Sequence, residues 1–203
     1  INTGIPYGSF TRVVREDQTR KNLLYAGTEK GIYLSWNGGK NWEPFQLNLP
    51  TAPITDLKVH QGNLIVATSG RSFWILDDLK ALSQYDPNNK TLKLYAPEIA
   101  LNGYWGSQLN GNSDSFKGML PYEGVNPANG MVIYYELGIL KDSSQLVLDI
   151  LDDKGRLVRS FSSEADKNYK KHNGGGPPPA PVLSIKEGLN RFVWDLNYPI
   201  MPG

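Results

Sequence analysis

Glu29, Asp56 and Arg71 are side chains of this sequence whose chemistry could handle a polar ligand. Two carboxyl groups hydrolyse a glycoside when they stand either about 5 Å or about 6.5–9.5 Å apart and one has a raised pKa. Glu29 and Asp56 are possible partners by position, but their separation is not written in the sequence, and no residue is assigned a catalytic role. Binding asks for less: carboxylate and guanidinium groups bond hydroxyls while an aromatic ring stacks on the apolar face of a sugar. Glu29, Arg71 and, from a loop further on, Trp105 are the candidate ligand-binding residues on those grounds. A second reading of Arg71 stays open, in which it forms a structural ion pair with Asp77 or Asp78.

Other chemistries fall away on composition. The 203 residues contain no cysteine and only two histidines, His60 and His172. There is therefore no disulfide framework, thiolate metal site or cysteine nucleophile, and a histidine-based zinc site would need carboxylate help. No metal or cofactor is expected. Gly-x-Ser-x-Gly, phosphate-loop and dinucleotide fingerprints are missing, and Gly174-Gly175-Gly176 runs into prolines rather than a helix. Lys plus Arg number 21 against 20 Asp plus Glu, a balance that gives no reason to expect nucleic acid as a partner. No window approaches 18 consecutive apolar residues, so no membrane span is expected. The opening Ile1-Asn2-Thr3-Gly4-Ile5-Pro6 lacks a Met, a basic region and an apolar stretch, and reads as the continuation of something longer.

The elements that must position these residues are strands. Short β-branched and aromatic runs alternate with Gly, Asn, Asp and Pro at the spacing of meandering strands. The runs predict strands at 10–15, 23–28, 31–35 and 42–47, then at 54–59, 64–68, 72–77 and 91–95, with one short helical turn at 78–84. A shift of forty residues lays Tyr25-Ala26-Gly27-Thr28 on Ile65-Val66-Ala67-Thr68, and Ile32-Tyr33-Leu34 on Ser72-Phe73-Trp74. Four strands every 40–45 residues is the blade length of a β-propeller, in which each blade buries its faces against its neighbours. Two blades cannot close such a ring, and their open faces are expected to drive self-association or packing against the rest of the chain. The competing reading is two similar hairpins in a sandwich.

Residues 97–128 are rich in Asn, Gly and Ser and read as a linker. Beyond them, strands are predicted at 131–138, 145–151, 156–161, 181–185 and 189–196. Ile133, Tyr135 and Leu137 alternate with Val132, Tyr134 and Glu136, while Leu146, Leu148 and Ile150 form a similar face, as in antiparallel strands packed on one side. Asp152-Asp153-Lys154-Gly155 reads as a hairpin turn rather than a calcium loop, because spaced oxygen ligands are lacking. The stretch 167–181 ends in Pro177-Pro178-Pro179-Ala180-Pro181 and reads as a loop between strands rather than a polyproline ligand.

Residues 35–42, Ser35-Trp36-Asn37-Gly38-Gly39-Lys40-Asn41-Trp42, match the pattern Ser/Thr-x-Asp-x-Gly-x-Thr-Trp with Asn at the Asp and Thr positions. Ser35, Asn37, Gly39 and Trp42 make this an Asp box: the Asn side chain accepts backbone N–H groups, Gly39 supplies positive φ, and Trp42 folds back onto the blade. Together with Gly4-Ile5-Pro6, Arg12 to Asp17, Leu23 to Gly31, Gln46 to Pro50 and Ala67 to Asp78, the box resembles the closing blades of secreted bacterial Asp-box (BNR) repeat proteins. Those proteins are sortilin-like in their propeller and commonly labelled glycosyl hydrolases. The family usually has His where this chain has Ser69. Residues 129–203 resemble the small immunoglobulin-like domains that end many secreted bacterial enzymes, with Trp194 a core residue beside Phe192 and Leu196 rather than a sugar platform.

The resemblance implies an all-β chain: two blades of an incomplete β-propeller (1–96), a linker (97–128) and an Ig-like β-sandwich (129–203). In a propeller the turn between second and third strands and the link to the next blade face the ligand. Glu29-Lys30, Leu49-Pro50-Thr51 and Ser69-Gly70-Arg71 would share that end, and the Asp box would lie opposite. The implied protein is extracellular or periplasmic and acts as a carbohydrate-related scaffold, not catalytic by itself. Two alternatives are one wall of a glycoside hydrolase of the propeller endoglucanase type and a sortilin-like receptor for a peptide or protein.

Overall fold

The computed structural model describes residues 3–89, 91–100, 128–139, 144–167, 169 and 179–198. The chain is all-β but for one short helix, and its small sheets are antiparallel with no closed barrel among the described residues. Two compact units divide between Pro87 and Asn88.

In the first unit β1 (Thr11–Glu16), β2 (Leu24–Thr28), β3 (Gly31–Ser35) and β4 (Glu43–Pro44) form a four-stranded meander. A three-stranded meander follows, β5 (Ile54–His60), β6 (Asn63–Thr68) and β7 (Phe73–Leu76), and then α1 (Leu79–Gln84). The strand expected at 42–47 shrinks to two residues: the Phe45 N–H still donates to the Ile32 carbonyl at 2.8 Å, but the Ile32 N–H turns to Gln46 Oε1 and Leu47 adopts a left-handed φ of 46°.

The two meanders share one apolar core. Val13, Tyr25, Ile32 and Leu34 of the first sheet meet Ile54, Leu57, Leu64 and Val66 of the second, with Trp74 and Leu76 packed against them. Gly27 permits this approach. A Cβ there would stand 2.6 Å from Ile54 Cγ2 and 2.8 Å from Val13 Cγ1. The far side of the first sheet carries Ala26 and Tyr33, which pack with Ile5 and Trp42.

This packing has a direction. On the forty-residue alignment Leu64 and Val66 correspond to Leu24 and Ala26, which lie on the far side of the first sheet, and not to Tyr25 and Gly27. The second sheet thus offers the first its opposite face, so the two stack head to tail. The β6–β7 turn is one residue longer than the β2–β3 turn, since Thr28 pairs with Gly31 and the Thr68 N–H donates to the Ser72 carbonyl. Phe73 and Ile75 therefore occupy the positions of Ile32 and Leu34. Where those two are buried between the sheets, Phe73 is 77% and Ile75 62% exposed.

A buried carboxylate anchors the turn after β1. Asp17 is 7% exposed, and its Oδ1 accepts the Thr19 N–H at 2.9 Å, the Thr19 hydroxyl at 2.8 Å and the Arg20 N–H at 2.9 Å. Its Oδ2 accepts the hydroxyl of fully buried Tyr25 at 2.9 Å. Burial, and then the negative charge of Asp17, hold the Tyr25 hydroxyl pKa far above the ordinary phenol value. A raised folded-state pKa means the stabilisation is complete below about pH 10, the unfolded phenol value, and is lost as pH rises above it. Urea titrations from pH 9 to 11 are expected to show stability falling in the wild type by up to about 1.4 kcal/mol per pH unit more steeply than in Tyr25→Phe. Equal slopes would contradict this.

In the second unit β8 (Lys93–Leu94), β9 (Met131–Leu137) and β12 (Gly188–Trp194) form one sheet in the order β12-β9-β8, and β10 (Val147–Leu151) pairs with β11 (Leu157–Ser162) in another. Ile133, Tyr135, Leu137 and Phe192 from the first pack with Phe161 and Leu183, and with Leu146, Leu148, Ile150 and Trp194 at the margin. The Asp152–Gly155 turn closes the β10–β11 hairpin: Asp152 Oδ1 accepts the N–H groups of Lys154 at 2.9 Å and Arg156 at 2.8 Å, and Gly155 has φ 75°. Chiefly the Arg156 N–H, and then its guanidinium, hold the Asp152 carboxyl below its ordinary pKa.

Two expected strands are corrected. The strand at 91–95 was expected to complete the second meander, but Lys93 and Leu94 pair with Glu136 and Tyr135 of β9. Helix α1, entered through Asp78 in a left-handed conformation, turns the chain away from β7, and buried Tyr95 donates its hydroxyl to Glu136 at 2.7 Å. The segment 181–185 forms no strand. Pro181 cannot donate, and the Leu183 N–H makes a single bond to the Ser162 carbonyl at 2.9 Å.

Candidate functional site

The turns that carry Glu29 and Arg71 lie at one end of the first unit. Gly27, one residue before the β2–β3 turn, abuts Ile54, and Ile54 pairs with Thr68, where the β6–β7 turn begins. The two turns are built alike. The Thr28 hydroxyl donates to the Gly31 carbonyl at 3.0 Å and accepts the Lys30 N–H at 3.1 Å. The Thr68 hydroxyl donates to the Ser72 carbonyl at 2.6 Å and accepts the Arg71 N–H at 3.1 Å.

Gln46 ties the link between the sheets to the same end. Its Nε2 donates to the carbonyls of Leu49 at 2.8 Å and Pro50 at 3.1 Å, and its Oε1 accepts the Ile32 N–H at 3.4 Å. Gly31, at φ 136°, makes room for this side chain, since a Cβ there would lie 1.9 Å from Gln46 Oε1. Residues 29–30, 49–51 and 69–71 are thereby fastened at one end, with the Ser69 N–H donating to the Pro53 carbonyl at 2.8 Å.

Glu29 is half engaged. Arg12 bonds its Oε1 through Nε at 2.7 Å and Nη2 at 2.6 Å, which leaves Oε2 without a partner among the described residues. Exposed Phe10 adjoins this pair, its carbonyl accepting the Glu29 N–H at 3.1 Å. Asp56 is held elsewhere, by Arg15 Nη2 at 2.8 Å. Each carboxylate thus has an arginine of its own, Arg12 for Glu29 and Arg15 for Asp56, both on β1. Arg71 is exposed, and its guanidinium forms no ion pair with Asp77, Asp78 or any other described residue. The Arg71 carbonyl instead accepts the Trp74 indole N–H at 2.7 Å. Trp105 and His172 lie outside the described residues.

The 35–42 turn sits between β3 and β4, at the other end of the first sheet from Glu29. The Ser35 Oγ accepts the Gly39 N–H at 2.9 Å and donates to Asn37 Oδ1 at 3.1 Å, and that oxygen accepts the Asn41 N–H at 3.0 Å. Gly38 and Gly39 take φ of 70° and 85°. The Trp42 ring lies over Gly39, and its buried indole N–H has no acceptor among the described residues.

Arg12, Phe10 and Gln46 are the members of this end that sequence reasoning left out. Phe10 was read as the first residue of the strand at 10–15; the Thr11–Thr28 pairing closes the ladder just after it and leaves its ring in solvent. Arg12 becomes visible only through the bulge between Thr11 and Val13. Among the described residues no group of three or more His, Asp or Glu gathers at metal-binding distance, and no helix is long and apolar enough to cross a membrane. Comparison with protein-family models, with curated proteins and with solved structures finds no match.

Proposed function

We propose that the chain is part of an Asp-box propeller protein, exported from the cell, that binds carbohydrate at the Glu29 end of the first unit and carries an Ig-like accessory sandwich in the second. The propeller reading is supported by the head-to-tail stacking of the two meanders and by their alike threonine turns. The binding reading rests on the half-engaged Glu29: a carboxylate oriented by Arg12 keeps Oε2 open to a hydroxyl, with an exposed ring at Phe10 to stack on a sugar face. Arg71 supplies further donors on the neighbouring turn. Binding without hydrolysis is the reading we favour, since Glu29 and Asp56 are each engaged by an arginine of their own.

The test is a polysaccharide and glycan-array screen with the intact chain. A bound glycan is expected, with affinity falling about tenfold in Glu29→Gln and in Phe10→Ala, the loss of about one charged hydrogen bond or one stacking contact, while thermal melts stay unchanged. Absence of any bound glycan, with capture of sequences from a peptide library instead, would favour a receptor role and overturn the carbohydrate reading.

A further inference from the structure

A cavity of about 50 Å³ opens in the first unit beside the link that joins the two meanders. Its floor is apolar, made by Leu49, Leu64, Val66, Trp74 and Leu76. Ile32, the residue after Gly31, and Gln46, whose side chain fills the space beside Gly31, form the wall that adjoins the Glu29–Gly31 turn. The cavity therefore borders the end that carries Glu29.

Most of its polar side-chain groups are already committed. Gln46 Nε2 donates to the Leu49 and Pro50 carbonyls, and its Oε1 accepts the Ile32 N–H. The Trp74 indole N–H donates to the Arg71 carbonyl at 2.7 Å, which pins the ring. Asn48 differs: it is exposed at the rim, and its amide forms no hydrogen bond with any described residue. Leu47 beside it is 64% exposed and holds a left-handed φ of 46°, a conformation that costs a leucine energy and that gathers at ligand sites.

Size and polarity narrow what can enter. A water needs about 10–15 Å³ of such space, and an apolar cavity of about 150 Å³ takes a benzene ring. The space beside the link thus holds a few heavy atoms and is too small for a pyranose ring. A hydroxyl pushed onto the floor would lose its water partners and find no free polar side chain in exchange. The entering group is small and apolar, and it is carried by something that can pair with an amide at the rim.

We propose that the cavity takes the methyl end of an acetamido group, so that the glycan bound at the Glu29 end is an N-acetylated sugar. The proposal rests on the carbohydrate reading and adds the class of sugar to it. The acetyl methyl meets the Val66–Trp74 pair, and the Asn48 amide, which carries donors and an acceptor together, bonds the acetamido carbonyl and N–H. Other small apolar substituents fit the floor but not the rim. A deoxy methyl brings no polar atom, and a methyl ether or an O-acetyl ester brings acceptors without an N–H.

Saturation-transfer NMR of the 203-residue chain with N-acetylglucosamine, N-acetylgalactosamine and N-acetylmannosamine, each beside its free amine and its parent hexose, reads the acetyl group directly. Transfer is expected to be strongest at the acetyl methyl of at least one of the three, with the matching hexose bound about tenfold more weakly for want of the buried methyl and the amide pair. Val66→Ile adds a methyl group to the floor and Asn48→Ala removes the rim amide. Each is expected to weaken the N-acetylated sugar about fivefold with an unchanged thermal midpoint. If Val66→Ile does not fold, Asn48→Ala, on the exposed rim, carries this arm alone. A glycan whose binding falls in Glu29→Gln but is indifferent to N-acetylation would overturn the acetamido assignment and leave the carbohydrate reading standing. Acetyl-dependent binding that neither variant weakens would overturn the placement in this cavity. No bound sugar at all, whether or not a peptide is captured instead, would overturn both.

Discussion

Asp17→Ala is expected to destabilise the first unit by about 4 kcal/mol. The carboxylate is buried and accepts four hydrogen bonds, from two backbone N–H groups, the Thr19 hydroxyl and the Tyr25 hydroxyl. Hydrogen bonds to a charged acceptor contribute about 1.5–3 kcal/mol each, and a buried group stranded by the loss of its partner costs about 1–3 kcal/mol. The bonds share one carboxylate and do not add in full. The Tyr25 hydroxyl is the costliest orphan, because its ring fills the core between the two sheets and water does not reach it. Asp17→Asn is expected to lose about half as much, since the amide keeps one oxygen for the Thr19 and Arg20 N–H groups and turns a donor toward Tyr25. Urea denaturation with an unchanged m value measures both. An alanine variant that unfolds at the wild-type midpoint would show that the turn holds without its acceptor.

Gly27→Val is the second large effect, at about 3 kcal/mol, and it acts by overfilling rather than by loss. A Cβ alone would already overlap Ile54 Cγ2 and Val13 Cγ1, both of which belong to the closed core, and the valine methyls have no free direction. Extra methyl groups in a packed core cost about 1–3 kcal/mol, toward the upper end where backbone has to move. Here the first and second sheets must separate, so the Glu29 end that they jointly build should loosen along with stability, and the proposed glycan binding with it. Gly27→Val combined with Ile54→Ala is expected to recover part of the loss, because the smaller partner vacates the overlapped volume. No recovery in the double variant would place the strain elsewhere than at this contact.

Much of the strand pattern was legible because period-two alternation reports which face is dry. Ile133, Tyr135 and Leu137, and Leu146, Leu148 and Ile150, line the second unit's core on the side their spacing implies. The short helical turn read at 78–84 forms at Leu79–Gln84, and the 152–155 hairpin turn forms because Asp and Gly at those positions satisfy their own turn. Alternation says nothing of partners. Residues 91–95 were strand-like in composition, and only the Tyr95–Glu136 bond and the turn through Asp78 decide that they join β9. Likewise Val182, Leu183 and Ile185 look like a strand, but a proline and one backbone bond do not make a ladder.

The site was legible to the extent that turns are local. Glu29-Lys30 and Ser69-Gly70-Arg71 are turns set by flanking residues, and that they share an end was what the propeller resemblance implied. The Arg12–Glu29 pair joins residues seventeen apart across a bulge, and the Gln46 tie depends on the space beside Gly31. Neither has a sequence signature, because each depends on register and on a missing side chain rather than on a pattern.

Head-to-tail stacking also bears on how such a chain can change length. The joint between the meanders is made of unlike faces, so a further unit of about forty residues, duplicated in frame, would bring a face that fits the exposed Phe73 and Ile75 and would leave an equivalent face exposed in its turn. Addition never uses the joint up. On this geometry the joint itself would admit the insertion or deletion of a whole meander, and the number present would be set by whatever covers the last exposed face.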